Sequence, residues 1–268
     1  MDATARDLRP ILFRNGAFVA GERRVPEETA VAISVNGSTH AVMMATPDHV
    51  EDLAVGLALN ERIVASADEI ERLEIEEGPL GIDARLWLSP ARATGYVERR
   101  RLMTGPVGCG LCGVESLELA QRELPAVGDG PVLPPAAIAA AMEAMSAHQQ
   151  LGRETRAVHA AAFHAAGGEE IVTREDVGRH NALDKVAGHL ARNGLDTTTG
   201  FITITSRVSV ELIQKAAVMG TGLIAAVSAP TALAIRSAQG AGITLVAVAR
   251  GDEFEIFTHP RRVEGALD

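Results

Sequence analysis

Cysteine is nearly absent from this chain: Cys109 and Cys112 are the only two in 268 residues. Two thiols are too few for a disulfide framework, and a Cys-x-x-Cys pair in a long chain is the pattern of metal-binding or redox chemistry in a reducing compartment. No apolar run reaches the roughly 20 residues that a membrane-spanning helix needs. Residues 1–18 carry charges throughout, together with Pro10, where a signal peptide would have an apolar core. The expectation is a cytoplasmic protein that does not enter the membrane. Positive charge is scarce as well. Lysine and arginine number 25 against 35 acidic residues, a formal net charge of −10. That balance argues against sequence-independent nucleic-acid binding, which depends on basic residues neutralising phosphates, although it leaves room for a local basic patch. With 47% hydrophobic and 22% charged residues the chain lacks the bias that keeps a segment unfolded. Its length falls between one large domain and two small ones.

In the first hundred residues, 31–35 and 40–45 read as strands joined by Asn36-Gly37, a strong hairpin signal. Asp48 and Glu51 have the spacing of a capping box, and Val50, Leu53, Ala54, Leu57 and Ala58 recur on one helical face. Ile82, Ala84, Leu86 and Leu88 alternate as a half-buried strand does, so this part reads as a small α+β unit. Residues 123–135 hold four prolines and two glycines without periodicity, the composition of a linker or a long surface crossing. The division expected is a domain over 1–122, a linker over 123–135 and a second domain over 136–268. In the second, 136–147 is an alanine-rich helix, and a hairpin (157–163, then 170–174) turns at Gly167-Gly168. Helices over 181–192, 208–219 and 231–239 then alternate with strands over 201–205, 223–228 and 243–248. Such alternation implies parallel βαβ crossovers in an α/β layered sandwich, with ligand sites at the strand ends.

Chemistry concentrates first in residues 105–113, where glycines surround Cys109 and Cys112 and let a bulky partner approach the sulfurs. Arg99, Arg100 and Arg101 would favour the reactive thiolate; they fit a solvated strand face equally well. Zinc would need two more ligands, with His159, His164 and His180 the available imidazoles. The zinc deaminase signature, His-x-Glu followed by Pro-Cys-x-x-Cys, is not met. A thioredoxin-like dithiol lacks its usual strand-then-helix context here, and a fortuitous pair in a surface loop is the plain alternative.

A second constellation, residues 174–185, crowds charge around a glycine-containing strand-to-helix turn, a natural place for an anionic ligand. Asp184 and Lys185 would serve equally as solvated or capping groups on the helix that follows. Thr205-Ser206-Arg207 and Ser228-Ala229-Pro230-Thr231 fall at the carboxyl ends of expected parallel strands, the edge where such sheets bind ligands. Ser206 and Thr231 also suit helix N-caps, Thr231 better. Residues 248–253 and His259-Pro260-Arg261-Arg262 read as a mixed-charge hairpin turn and a polar tail.

Taken in order, the Gly-Cys-Gly-x-Cys-Gly loop at 108–113, the 174–185 block, Thr-Ser-Arg at 205–207, Ser-Ala-Pro-Thr at 228–231 and Thr-His-Pro at 258–260 closely resemble the formate dehydrogenase accessory sulfurtransferase family (FdhD). The resemblance runs from about residue 26 to 262. It implies a sulfurtransferase that takes persulfide sulfur from a cysteine desulfurase and delivers it to the molybdenum cofactor, bis-molybdopterin guanine dinucleotide, required for formate dehydrogenase activity. By the same resemblance Cys109 is the persulfide carrier, Cys112 matches with a less settled role, and Val248, Ala249, Arg250, Gly251, Asp252 and Glu253 are the cofactor-binding stretch. It further implies a homodimer and a cytidine-deaminase-like three-layer α/β/α sandwich in the C-terminal half, without zinc, beside a smaller N-terminal α+β domain. The cofactor's pyrophosphates make Arg179, Arg207 and Arg250 candidates for charge-assisted hydrogen bonds. A zinc-dependent nucleotide hydrolase and a non-catalytic cofactor chaperone are the alternatives.

Overall fold

The computed structural model describes residues 4–101 and 124–266, so the cysteine loop and both its thiols lie outside the described residues. The chain opens with a short antiparallel pair, β1 (Ala5–Leu8) with β4 (Arg23–Pro26), which carries the hairpin β2 (Ile11–Arg14) and β3 (Ala17–Ala20). Asn15 and Gly16 turn that hairpin with positive φ at both positions, as a tight two-residue turn demands. It is the same signal as Asn36-Gly37, and only the second of the two was expected from the sequence.

Asn36 and Gly37 join β5 (Thr29–Val35) to β6 (Ser38–Ala45), and α1 (Val50–Asn60) follows. Then come β7 (Ile70–Gly78) and β8 (Gly81–Leu88), completing a sheet in the order β6-β5-β8-β7. The alternation in β8 turns Ile82, Ala84, Leu86 and Leu88 inward, where they meet Val31, Ile33 and Val35 of β5 and the Leu53, Ala54, Leu57 face of α1. The expected capping box does not form. His49 occupies the N-cap position in the left-handed region and gives no side-chain cap, and the Asp48 carboxylate faces the His49 ring instead. The next helix, α2 (Pro90–Arg101), ends the first described stretch.

The second stretch begins with residues 124–134, which cross the surface under firm constraint. Val127 donates its N–H to Ala241, and Leu133 is fully buried beside Val263. The guanidinium of Arg262, 1% exposed, donates to the carbonyls of Gly128, Asp129 and Gly242 and to the Thr244 hydroxyl. An arginine is almost never buried without such partners, and here backbone carbonyls supply them.

After α3 (Pro135–His148) and α4 (Gln150–Thr155) come β9 (His159–Ala165), β10 (Glu170–Asp176), α5 (Arg179–Arg192), β11 (Gly200–Ile204), α6 (Val210–Met219), β12 (Leu223–Ala226), α7 (Ala232–Ala241), β13 (Thr244–Arg250) and β14 (Glu253–Thr258). Six strands form one mixed sheet in the order β10-β9-β11-β12-β13-β14. The expected parallel crossovers are β11, β12 and β13; β9 and β14 run antiparallel to their neighbours. Side chains alternate between its two faces. Ile202, Ile204, Ile224 and Leu245 pack against α5, α6 and α7, while Phe201, Leu223, Ala225 and Val246 pack against α3. Thr231 caps α7, its hydroxyl accepting from the Ala234 N–H at 3.1 Å. Ser206 caps nothing: its hydroxyl donates to the Arg207 carbonyl, and Ser209 holds the N-cap position of α6.

Helix α1 is sandwiched between its own sheet and α5. At the crossing the backbones touch: a Cβ on Gly56 would collide with the Asp184 carbonyl, and one on Gly188 with the Asp52 carbonyl. Each helix thus brings an aspartate and, four residues on, a glycine. Glycine within a helix ordinarily costs about 1 kcal/mol relative to alanine. Here alanine has no room, so Gly188→Ala is expected to lower stability by about 3 kcal/mol or more, the cost of forced overpacking. A urea titration of the variant checks this, and an unchanged or raised midpoint would contradict it.

His164 is fully buried, stacked on Phe201 and bonded through Nε2 to the Thr203 hydroxyl at 2.9 Å. Burial pushes its pKa down to about 4. The unfolded chain therefore takes up a proton near pH 6.5 that the folded chain refuses until about pH 4, and stability falls as pH drops through that window. Wild type should lose about 2 kcal/mol from this group between pH 7.5 and 5.0, and His164→Gln should lose correspondingly less. Parallel urea titrations at the two pH values measure the difference.

Candidate functional site

The block 174–185 gathers in space what it gathers in sequence, but much of it is turned inward. Asp176 and Lys185 are both fully buried and paired at 2.6 Å. Lys185 also donates to the Thr46 carbonyl, and Asp176 accepts from the N–H of Thr46 and Gly178 and from the Asn181 amide. Asp184 lies against Lys215 at 2.7 Å and Asn60 at 2.7 Å. Burial raises its pKa against the pull of both partners. Neither Asp184 nor Lys185 is the solvated or capping group their place at the start of a helix suggested. Asp52, hidden in α1, accepts from Arg174 at 2.9 Å and Arg192 at 2.6 Å. The His189 ring also receives a bond from Arg174. These pairs tie the small sheet and α1 to α5.

What the block leaves facing outward is the amino end of α5. Residues 177–181, His159, Glu211 and residues 42–44 of β6 line a cleft of about 540 Å³. It opens at the carboxyl edge of the parallel strands, because β10 ends there, β9 begins there and Thr205 follows β11 there. The first N–H groups of α5 have no carbonyl one turn earlier to accept them, so this end is polar and electropositive.

Two of the lining residues each hold a buried side-chain atom without a partner among the described residues, Arg179 Nε and Glu211 Oε2. Burial pushes the His180 pKa down to about 4, assisted by Lys215 and Arg179. His159 is lowered for the same reason, with Arg179 as the second cause. Glu211 goes the other way from its burial. Desolvation would raise it, but hydrogen bonds from the Ser209 side chain and its own amide, then His180 and Arg179, hold it below the usual carboxylate range. Near neutral pH the cleft is thus lined by two neutral imidazoles, one guanidinium and one carboxylate.

The remaining sequence candidates sit along the same edge. Arg207 is exposed in the turn after β11 and does not line the cleft. That turn is bridged to the one after β12 through Val208 and Pro230. Residues 248–253 end β13, turn, and begin β14, two strand spacings from β11, roughly 10 Å. Arg250, Gly251, Asp252 and Glu253 are exposed there, Ala249 is buried and Val248 half-buried. Val248 is a backbone outlier, a β-branched residue at φ 54°, where the pairing with β14 shifts register between Ala247 and Arg250. Such a residue is held in the left-handed region only by its surroundings, at a cost of about 1–3 kcal/mol, and such sites cluster where function needs a fixed backbone. Sequence reading missed Glu211 and Ser209. They open an amphipathic helix as ordinary polar residues, and only the fold brings them to His180.

Three comparisons bear on the chain as a whole. The model of the FdhD/NarQ family matches residues 26–264. The chain is 48% identical over 264 residues to a protein of Agrobacterium fabrum named sulfur carrier protein FdhD, covering 98% of this chain and 97% of that one. It is 46% identical over 241 residues to the protein of that name from Variovorax paradoxus, covering 90% and 87%. Among solved structures, a formate dehydrogenase accessory protein from Desulfotalea psychrophila, so described, matches with a TM-score of 0.77 at 23% identity, over 97% of this chain and 99% of that one. At that identity the likeness is one of fold. With a family match over nearly the whole chain and curated relatives close to half identical, this chain belongs to the FdhD/NarQ family.

Proposed function

We propose that this protein is a sulfur carrier serving a formate dehydrogenase: it accepts sulfur from a cysteine desulfurase as a persulfide on Cys109 and passes it to the bis-molybdopterin guanine dinucleotide molybdenum cofactor, its substrate. The observation that carries this reading is the near full-length similarity to proteins named sulfur carrier. The only two thiols of the chain, set in the glycine-rich loop 108–113, agree with it. A Cys109 thiolate attacks the outer sulfur of the donor persulfide, the donor's S–S bond breaks, and the donor thiolate leaves. Cys112 is close enough in sequence to attack the resulting persulfide and form a disulfide, so the loop must either hold it away or use it.

The carboxyl edge suits the cofactor's polar, phosphate-bearing chemistry. Arg179 has a buried donor without a partner among the described residues, Arg207 and Arg250 are exposed on the same edge, and the backbone at Val248 is pinned. The residues present therefore fit the group. The mixed sheet with helices on both faces supports a cytidine-deaminase-like reading of the C-terminal half, with the small sheet and α1 as the N-terminal unit. We read the assembly as a cytoplasmic homodimer.

Mass spectrometry after incubation with a cysteine desulfurase and cysteine tests the carrier role. One added sulfur should map to Cys109, vanish in Cys109→Ala and persist in Cys112→Ala. Cys109→Ala should also abolish formate dehydrogenase maturation while leaving guanine-nucleotide binding intact. Full maturation by that variant, or added sulfur elsewhere in the chain, would overturn the assignment; no added sulfur together with stoichiometric, tightly bound zinc would favour the hydrolase.

A further inference from the structure

We propose that the β2–β3 hairpin is the exchange arm of a dimer: each arm lies on the outer face of the small sheet of a second copy, and the contact is repeated about the two-fold axis. This rests on the reading above that the protein is a homodimer, and it assigns the surfaces that meet.

The hairpin is apolar where a solvated one is polar. Ile11, Phe13, Phe18 and Ala20 share one of its faces and Leu12 and Val19 the other, with the Phe13 and Phe18 rings 5.1 Å apart. Phe13 is 65% exposed and Phe18 77%. A two-stranded hairpin alone is at best marginally stable in water, and a solvent-facing apolar patch of this kind marks an interaction surface. Its own subunit does not cover it. The base of the arm, β1 with β4, is tied to α4, where Arg23 donates to the Thr155 carbonyl and Arg24 pairs with Glu154 at 2.8 Å. Beyond that base the hairpin is exposed along nearly its whole length.

Charge selects what covers it. Residues 5–26 carry five arginines against Asp7 and Glu22, in a chain of net charge −10. Arg9 and Arg14 are exposed, and neither has a partner among the described residues. Two arms stacked on each other would set like charges together, whereas an apolar surface with an acidic border complements the arm. The small sheet has that surface. On the side turned away from α1, Ala30 and Ala32 of β5 lie beside the exposed Met44 and Val42 of β6. The strands that complete the sheet, β7 and β8, hold five acidic residues against two arginines. The arm leaves the sheet at the end where this patch lies, since β4 ends at Pro26 and β5 begins at Thr29, paired with Ala45. Arm and patch are therefore neighbours, and a two-fold axis beside them lets each arm reach the other copy's patch, which closes the pair instead of building a chain. Two phenylalanines of roughly 150–250 Å² each, doubled by symmetry and added to the patches beneath them, reach the roughly 1,200–2,000 Å² of a stable interface. Val42 and Met44 also wall the cleft at α5, so the docked arm borders it.

Sedimentation of the full-length protein over a dilution series tests this. Wild type should sediment as a dimer. Two double variants, Phe13→Glu with Phe18→Glu on the arm and Val42→Glu with Met44→Glu on the patch, should each raise the dimer dissociation constant by about a hundredfold or more. Their circular dichroism spectra should match wild type, because all four side chains are exposed. An equimolar mixture of the two variants should recover dimer, since it holds one intact arm facing one intact patch, whereas arm-on-arm stacking leaves no intact pair. A wild-type dimer unaffected by the arm variant, or a mixture that stays monomeric, would overturn this inference and leave the homodimer reading standing. Monomeric wild type would overturn both.

Discussion

The crossing of α1 and α5 is the contact on which the rest of the structure depends. Two helices approach closely enough for glycine to meet carbonyl only because Gly56 and Gly188 carry no Cβ. The aspartates one turn before those glycines point away into ion pairs, Asp52 with Arg174 and Arg192, Asp184 with Lys215. Buried ion pairs are poor sources of net stability, since desolvation offsets much of the attraction, but breaking one by removing a partner is costly. Their use here is registry. A helix that slid along its neighbour would leave Asp52, Asp184 and the fully buried Lys185 without partners, so one alignment of the small sheet against the large one is favoured over its alternatives.

That alignment builds the cleft. Asp176 gathers the Thr46 N–H, the Gly178 N–H, the Asn181 amide and the Lys185 ammonium, which fixes the strand-to-helix turn and aims the first turn of α5 at the carboxyl edge. The same residues bring β6 alongside, so that one wall of the cleft comes from the small sheet and the other from the large one. The site belongs to neither half alone. Further along the edge, the left-handed backbone at Val248 shows the same economy: the core holds the residue and the exposed turn from Arg250 to Glu253 is presented by it.

Much of this was legible in the amino-acid order, and the failures have physical reasons. The helix and strand periods of the second half held because each element packs one face on one side of a single sheet. Asn36-Gly37 announced its turn, and Thr231 its cap. The capping box at Asp48 failed because His49 takes the cap position in the left-handed region and Asp48 turns to its ring. β7 went unread because a register shift between Ile70 and Arg72 sets Ile70 three residues from Leu73 and breaks the alternation that Leu73 and Ile75 begin. Asp184 and Lys185 looked solvated because a helix read alone shows no partner, whereas Asn60, Lys215 and Thr46 come from distant segments. Glu211 gave no signal for the same reason. Residues 174–185 were singled out as special, but only packing shows that most of their charge holds two sheets together, while Arg179 and His180 line the cleft.

The central claim is that the cofactor lies along the carboxyl edge, from the α5 cleft to the β13–β14 turn. Hydrogen–deuterium exchange with and without guanosine diphosphate measures it directly. Slowed exchange confined to residues 177–181, 205–211 and 248–253 is the predicted footprint. Protection at the opposite edge, around Thr244 and residues 259–262, with those segments unchanged, would contradict it.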